Sequence, residues 1–289
     1  MRADSVDLAA QANKCRIPML RSRIITGVIL LVLFAADLAS ASVDVFALSL
    51  SFVVAAAAWE WGRMCGIKDE TVQTAFAAIV GLLALIMLYL PYNVDTTRWI
   101  FLVAFLFWAS VPAMFYLAPR IEPITKIREM LLLTGAFIFI VSVLAIQDLR
   151  SYVPFASSWF LLYVMSIVWL MDIGAYFSGR RFGTTKLAPA ISPGKTWEGV
   201  FGGLAVTAAV LIVVLIVAPW APDNRVKLVI ATVLAAAASV IGDLYESRIK
   251  RAADMKDSSQ LLPGHGGVLD RIDGVLAALP VFVFVWVWL

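Results

Sequence analysis

The sequence predicts an all-α, polytopic membrane protein with about nine transmembrane helices, and three observations carry that reading. First, 62% of the 289 residues are hydrophobic and 15% are charged, whereas a soluble domain is about half apolar and about a quarter charged. Second, the apolar residues fall in continuous runs close to the roughly 20 residues that cross a bilayer as a helix. The runs show no strand-like alternation, so helices rather than a closed barrel satisfy the backbone in lipid. Third, the basic residues sort onto alternate links between runs, as cytoplasmic loops require.

The runs are 24–39, 43–61, 72–90, 97–117, 130–147, 158–178, 197–219, 226–243 and 273–289. The first follows Arg16, Arg21 and Arg23 and ends near Ala39-Ser40-Ala41, which resembles a secretory cleavage site. Asp37 interrupts it and many more runs follow, so a first membrane helix is the better reading. It forms a tight hairpin with 43–61 through Ala39-Ser40-Ala41-Ser42, with a partly interfacial placement as the alternative. Pro91-Tyr92-Asn93 and Ala221-Pro222-Asp223-Asn224 supply turn chemistry for two outside links. With the N-terminus inside, 19 of the 23 Lys and Arg residues lie on the inner face. That topology suits a bacterial inner membrane with the basic loops facing the cytoplasm. Residues 1–150 hold about five spans, and 151–289 hold the rest together with the two longest polar loops on the inner face.

Composition also excludes some functions. A net charge of +3 without a basic, aromatic-interleaved patch speaks against nucleic acid. Cys15 and Cys65 have no metal-binding spacing and are expected to be unpaired thiols in a reducing compartment.

Two polar, glycine-rich, basic loops fall on the same inner face: Asp172 to Gly199, and Asp243 to Asp273. Asp172 and Asp243 each sit at the end of an apolar run. A carboxylate there is costly unless it is solvated, paired or bound to a cation. If the helix continues past Asp243, then Asp243, Glu246, Ser247 and Lys250 share one face. Leu262-Pro263-Gly264-His265-Gly266-Gly267 cannot be a stable helix. Gly264, Gly266 and Gly267 would let backbone N–H groups approach a polyphosphate. Asp270 and Asp273, three residues apart, either complement a helix N-terminus or share a hard divalent cation with phosphate oxygens. His265 is a phosphate donor, a structural donor or a general base.

The run Ser247-Arg248-Ile249-Lys250-Arg251, then Lys256-Asp257, then Pro263-Gly264-His265-Gly266-Gly267-Val268-Leu269-Asp270-Arg271-Ile272-Asp273 closely resembles the signature of the phosphatidate cytidylyltransferase (CDP-diacylglycerol synthase) family. Asp172…Gly174-Ala175-Tyr176…Gly179-Arg180, Ser192-Pro193-x-Lys195-Thr196-x-Glu198-Gly199 and Gly242-Asp243-Leu244-x-Glu246-Ser247 also look like that family. The strong resemblance covers 172–273. The first 150 residues match only in their hydrophobicity and in Trp59-Glu60-Trp61. Gly194 stands where the family commonly has a second basic residue.

The resemblance implies a magnesium-dependent enzyme that joins CTP to phosphatidic acid at the bilayer surface, giving CDP-diacylglycerol and pyrophosphate. On that reading Asp243 and Asp270 bind the metal, with Asp273 as a further ligand. Lys250, Arg251, Lys256 and Arg271 hold phosphates, and His265 belongs to the catalytic set. Ser192, Lys195, Thr196, Ser247, Asp257 and Asp172 line the substrate site, and Gly264, Gly266 and Gly267 admit the phosphates. A homodimer is left open. A transferase for another lipid, such as an ether lipid, would use the same loops. A transporter would place its polar groups near the bilayer midplane, and a scaffold would have no need of carboxylates beside cationic loops.

Overall fold

The computed structural model describes residues 42–90, 94–117, 123–152, 157–217 and 224–289, with isolated positions at 29, 32, 35 and 36. The run expected at 24–39 lies outside the described residues apart from those positions, as does Cys15.

Eight helices among the described residues are long and apolar enough to cross a membrane. They are α1 (Val43–Met64), α2 (Glu70–Tyr89), α3 (Val94–Leu117), α4 (Ile124–Tyr152), α5 (Ser157–Phe182), α6 (Trp197–Val217), α7 (Arg225–Ala252) and α8 (Leu269–Trp288). Each contains most or all of one expected run. The largest difference is at α7, which continues nine residues past Asp243. Polar side chains there pair along one face, so the helix needs no lipid to persist. Local chemistry sets several ends. Ser42 caps α1 through Val45 N, and Asp69 caps α2 through Thr71 N and Val72 N. The Val72 and Thr71 N–H groups hold the Asp69 carboxyl below its usual range.

The link from α5 to α6 is not all loop. It contains a short antiparallel hairpin, β1 (Lys186–Ala188) with β2 (Ser192–Thr196), that pairs Lys186 with Thr196 and Ala188 with Ser192. No alternation in Lys186-Leu187-Ala188 announces it.

α8 is the centre of the bundle. Its span is 67% buried, against 17% for α6 at the periphery. One apolar cluster joins Phe160, Val164 and Ile167 of α5 to Ala231 and Ala235 of α7 and Phe282 and Trp286 of α8. A second joins Trp61 of α1 and Phe139 of α4 to Tyr245 of α7 and Leu276 and Ala277 of α8. Both clusters draw on residues from either side of residue 150. Cys65 is a free, buried thiol, and burial pushes it up to about 12.

Two close helix contacts position the polar end of the bundle. A Cβ on Gly174 would lie 2.8 Å from the Gly202 carbonyl oxygen, so α5 and α6 meet backbone to backbone. At Gly242 a Cβ would lie 2.6 Å from the Asp273 carbonyl oxygen and 2.8 Å from the Ala277 Cβ. This glycine lets α7 approach α8 right beside Asp243 and Asp273. Gly242→Ala is therefore expected to force the helices apart, at about 1–3 kcal/mol of overpacking. The unfolding midpoint in detergent should fall, and turnover with it as Asp243 and Asp273 move apart, checked by thermal melt and activity assay.

Candidate active site

The C-terminal ends of α1, α5 and α7, the hairpin and the start of α8 meet at one end of the bundle. At the other end, the Trp288 indole donates to the Arg98 carbonyl at 3.1 Å, and the Lys227 ammonium lies 5.2 Å from the Trp286 ring centre. The two loops singled out in the sequence are thus together, on one side.

The α7 face forms as its spacing predicts. Ser247 Oγ donates to Asp243 Oδ1 at 3.2 Å, and Lys250 Nζ donates to Glu246 Oε2 at 2.6 Å. Lys195 near the end of β2 reaches across and pairs with Asp243. Lys250 also bonds Asp270 Oδ1 at 2.7 Å. Its ammonium is buried between two carboxylates. A cation held there fixes α7 to α8 and keeps Asp270 in place.

Asp270 is similarly committed. Besides Lys250, it accepts from Ser258 N at 3.0 Å and Gly267 N at 2.8 Å. The Gly267 N–H, expected to face a polyphosphate, closes the loop onto Asp270 instead. Gly264 and Gly266 have φ of 76° and 83°, a left-handed conformation that glycine adopts without strain. His265 supplies backbone groups: its N–H donates to the Leu262 carbonyl at 2.8 Å, and its carbonyl accepts from Arg271 Nε at 3.0 Å and Nη2 at 2.5 Å.

In the hairpin, Thr196 is buried and its hydroxyl accepts from Gly199 N at 3.2 Å, capping α6. The cap forms because Thr196 stands immediately before the first helical residue. Ser192 is half-buried on β2. Arg251 donates to the carbonyls of Ile191 at 3.4 Å and Met255 at 3.2 Å, tying the hairpin to the segment after α7. Lys256 and Asp257 are exposed and line a cleft of about 460 Å³.

The remaining carboxylates converge. Asp273 is in contact with Glu246 and within electrostatic reach of Asp243. Asp172 on α5 is within reach of Asp243, Lys195 and Arg271. Asp172, Asp243, Glu246, Asp270 and Asp273 face Lys195, Lys250 and Arg271: five formal negative charges against three positive, a difference of two. Two carboxylates in contact need a proton or a cation between them. Glu246 Oε1 is buried and meets no donor among the described residues. No group of three or more His, Cys, Asp or Glu there forms a ready-made metal cage. Magnesium, however, is ordinarily held by one or two carboxylates plus substrate phosphates, so this donor set fits it.

One residue of the site comes from the N-terminal half. Glu60 on α1 is fully buried. Its Oε1 accepts from Ser259 Oγ at 2.5 Å and Val268 N at 2.9 Å, and its Oε2 from Ser258 Oγ at 3.0 Å and Leu269 N at 2.7 Å. Four donors pin both ends of the glycine-rich loop to one carboxylate. The sequence signal was present, an acid near the end of the apolar run 43–61 within Trp59-Glu60-Trp61, but nothing local names its partners.

Residues 21–289 match the cytidylyltransferase family, and the chain belongs to that family. Among similar proteins, the phosphatidate cytidylyltransferase of Pseudomonas aeruginosa is 38% identical over 264 residues, covering 91% of this chain and 96% of that one. The phosphatidate cytidylyltransferase of Haemophilus influenzae is 36% identical over 283 residues, covering 92% and 98%. That of Bacillus subtilis is 41% identical over 125 residues, 43% of this chain and 46% of its own.

Proposed function

We propose that this integral membrane protein transfers CMP from CTP to phosphatidic acid, giving CDP-diacylglycerol and pyrophosphate for phospholipid biosynthesis. The observation that carries the reading is the meeting, at one end of a membrane bundle, of Asp172, Asp243, Glu246 and Asp273 with Lys195 and Arg271. Family membership and the names of the full-length relatives support the same chemistry.

The lipid phosphate attacks the α-phosphorus of CTP, one P–O bond forms, and pyrophosphate leaves with the electrons of the other. Reactants and leaving group are all anions, so positioning and charge neutralisation do most of the work. Lys195 and Arg271 would hold phosphate oxygens in exchange for their contacts with Asp243 and the His265 carbonyl, and Ser192 lies on the same strand as Lys195. A bound magnesium ion would neutralise the developing charge, with Asp243 and Asp273 as its holders and Asp270 beside them. Lys250, Glu60 and the loop glycines hold the acidic residues in register. The basic residues on this face support an orientation toward the cytoplasm of a bacterial inner membrane.

The deciding assay incubates purified protein with labelled CTP, magnesium and phosphatidic acid and looks for a labelled lipid and free pyrophosphate. No labelled lipid from a folded protein would end the reading. Asp243→Asn should lower turnover roughly a hundredfold, about 2.7 kcal/mol of barrier, and shift magnesium activation to higher concentration. Wild-type magnesium dependence in a folded variant would remove Asp243 from the metal site.

A further inference from the structure

The cleft of about 460 Å³ beside the catalytic cluster is lined by Arg63, Met255, Lys256, Asp257, Ser259 and Gln260. Its size falls within the range of small-molecule sites, about 300–1,000 Å³. One wall is the last turn of α1 and the other is the segment after α7. Arg63 follows Glu60 by three residues, so both lie on the α1 face turned to this segment. Arg63 and Lys256 are exposed, and among the described residues neither side chain has an ion-pair partner within 4.0 Å. The cationic groups elsewhere at this end are engaged: Lys195 by Asp243, Lys250 by Glu246 and Asp270, Arg271 by the His265 carbonyl. The wall is also fixed in place. Ser259 Oγ is held by Glu60, and the neighbouring Ser258 N–H holds Asp270. The 255–260 segment therefore presents the cleft on one side and clamps an acidic residue of the site on the other.

We propose that Arg63 and Lys256 form a phosphate-binding subsite, with Arg63 contributed by the N-terminal half. Two unpaired cations over a polar, water-facing cleft suit a phosphate ester: the terminal phosphates of the nucleotide, and pyrophosphate after transfer, or the phosphate of the lipid head group. Arginine can grip such an oxygen pair bidentately. The inference rests on the transferase reading above.

The test compares wild type, Arg63→Ala, Arg63→Lys and Lys256→Ala in steady-state assays, varying CTP and phosphatidic acid separately, with pyrophosphate as product inhibitor. Arg63→Ala is expected to raise one KM about tenfold, with kcat changed less and Arg63→Lys recovering part of the loss. A raised KM for CTP with weakened pyrophosphate inhibition assigns the nucleotide end. A raised KM for phosphatidic acid assigns the lipid head group. Wild-type values for both substrates and for pyrophosphate in Arg63→Ala and Lys256→Ala would overturn the subsite. Absence of turnover by the wild-type protein would instead overturn the transferase reading. A loss confined to kcat, with both KM values and pyrophosphate inhibition unchanged, would also count against the subsite.

Discussion

Replacing Glu60 with alanine is expected to abolish CDP-diacylglycerol formation although no substrate atom need touch this residue. The substitution leaves the hydroxyls of Ser258 and Ser259 and the N–H groups of Val268 and Leu269 facing a void. Each buried group left without a partner costs about 1–3 kcal/mol, a large share of a typical folding margin of about 5–15 kcal/mol. The loop from Ser258 to Leu269 would lose its anchor, and Asp270 would lose its Ser258 and Gly267 contacts with it. Glu60→Gln sharpens the test. Each carboxylate oxygen accepts one backbone N–H, which cannot turn away, so the amide nitrogen meets a donor in either orientation. Glutamine should cost roughly a hundredfold in turnover, about 2.7 kcal/mol, with the protein still inserted. Wild-type activity in Glu60→Gln would show that the loop holds its shape without this carboxylate.

The second large effect is expected at Lys250. Its ammonium lies 2.6 Å from Glu246 and 2.7 Å from Asp270 and is buried. Lys250→Met leaves two carboxylates without their shared cation, and breaking a buried pair in this way costs about 3–5 kcal/mol. Both unfolding midpoint and turnover should drop. Adding Glu246→Gln should restore part of the midpoint but not the activity, because Asp270 would still lack its lysine. Recovery of full turnover by the double variant would reduce Lys250 to a stabilising ion pair.

The helices were legible in the sequence because lipid imposes a run-length rule that each segment obeys on its own. Every run from 43 onward falls within or largely within one helix. The gathering of Asp243 and Asp273 at one end was legible too, since alternating spans and basic loops determine sides. The roles within the gathering were less so. Lys250 reads as a phosphate ligand by residue type, yet two acids reach it first. Thr196 reads as a phosphate donor, yet it stands one residue before α6 and caps it. Gly267 reads as an open N–H, yet Asp270 is three residues away and takes it. In each case a group suited to an external ligand also has an internal partner, and spacing alone does not name that partner. Glu60 was hardest, because its donors are 198 to 209 residues distant.

That separation has a consequence for biosynthesis. At about 5–20 residues per second, the ribosome needs on the order of 10–40 s after making Glu60 to produce Leu269. Until then the acid near the end of α1 has only water to solvate it. The central helix α8 is also made after the other seven described helices, so those spans wait for the segment they enclose. Burial of Glu60 therefore follows synthesis of 258–269, and a nascent chain arrested before residue 258 should expose Glu60 to a water-soluble carboxyl reagent that the folded protein excludes.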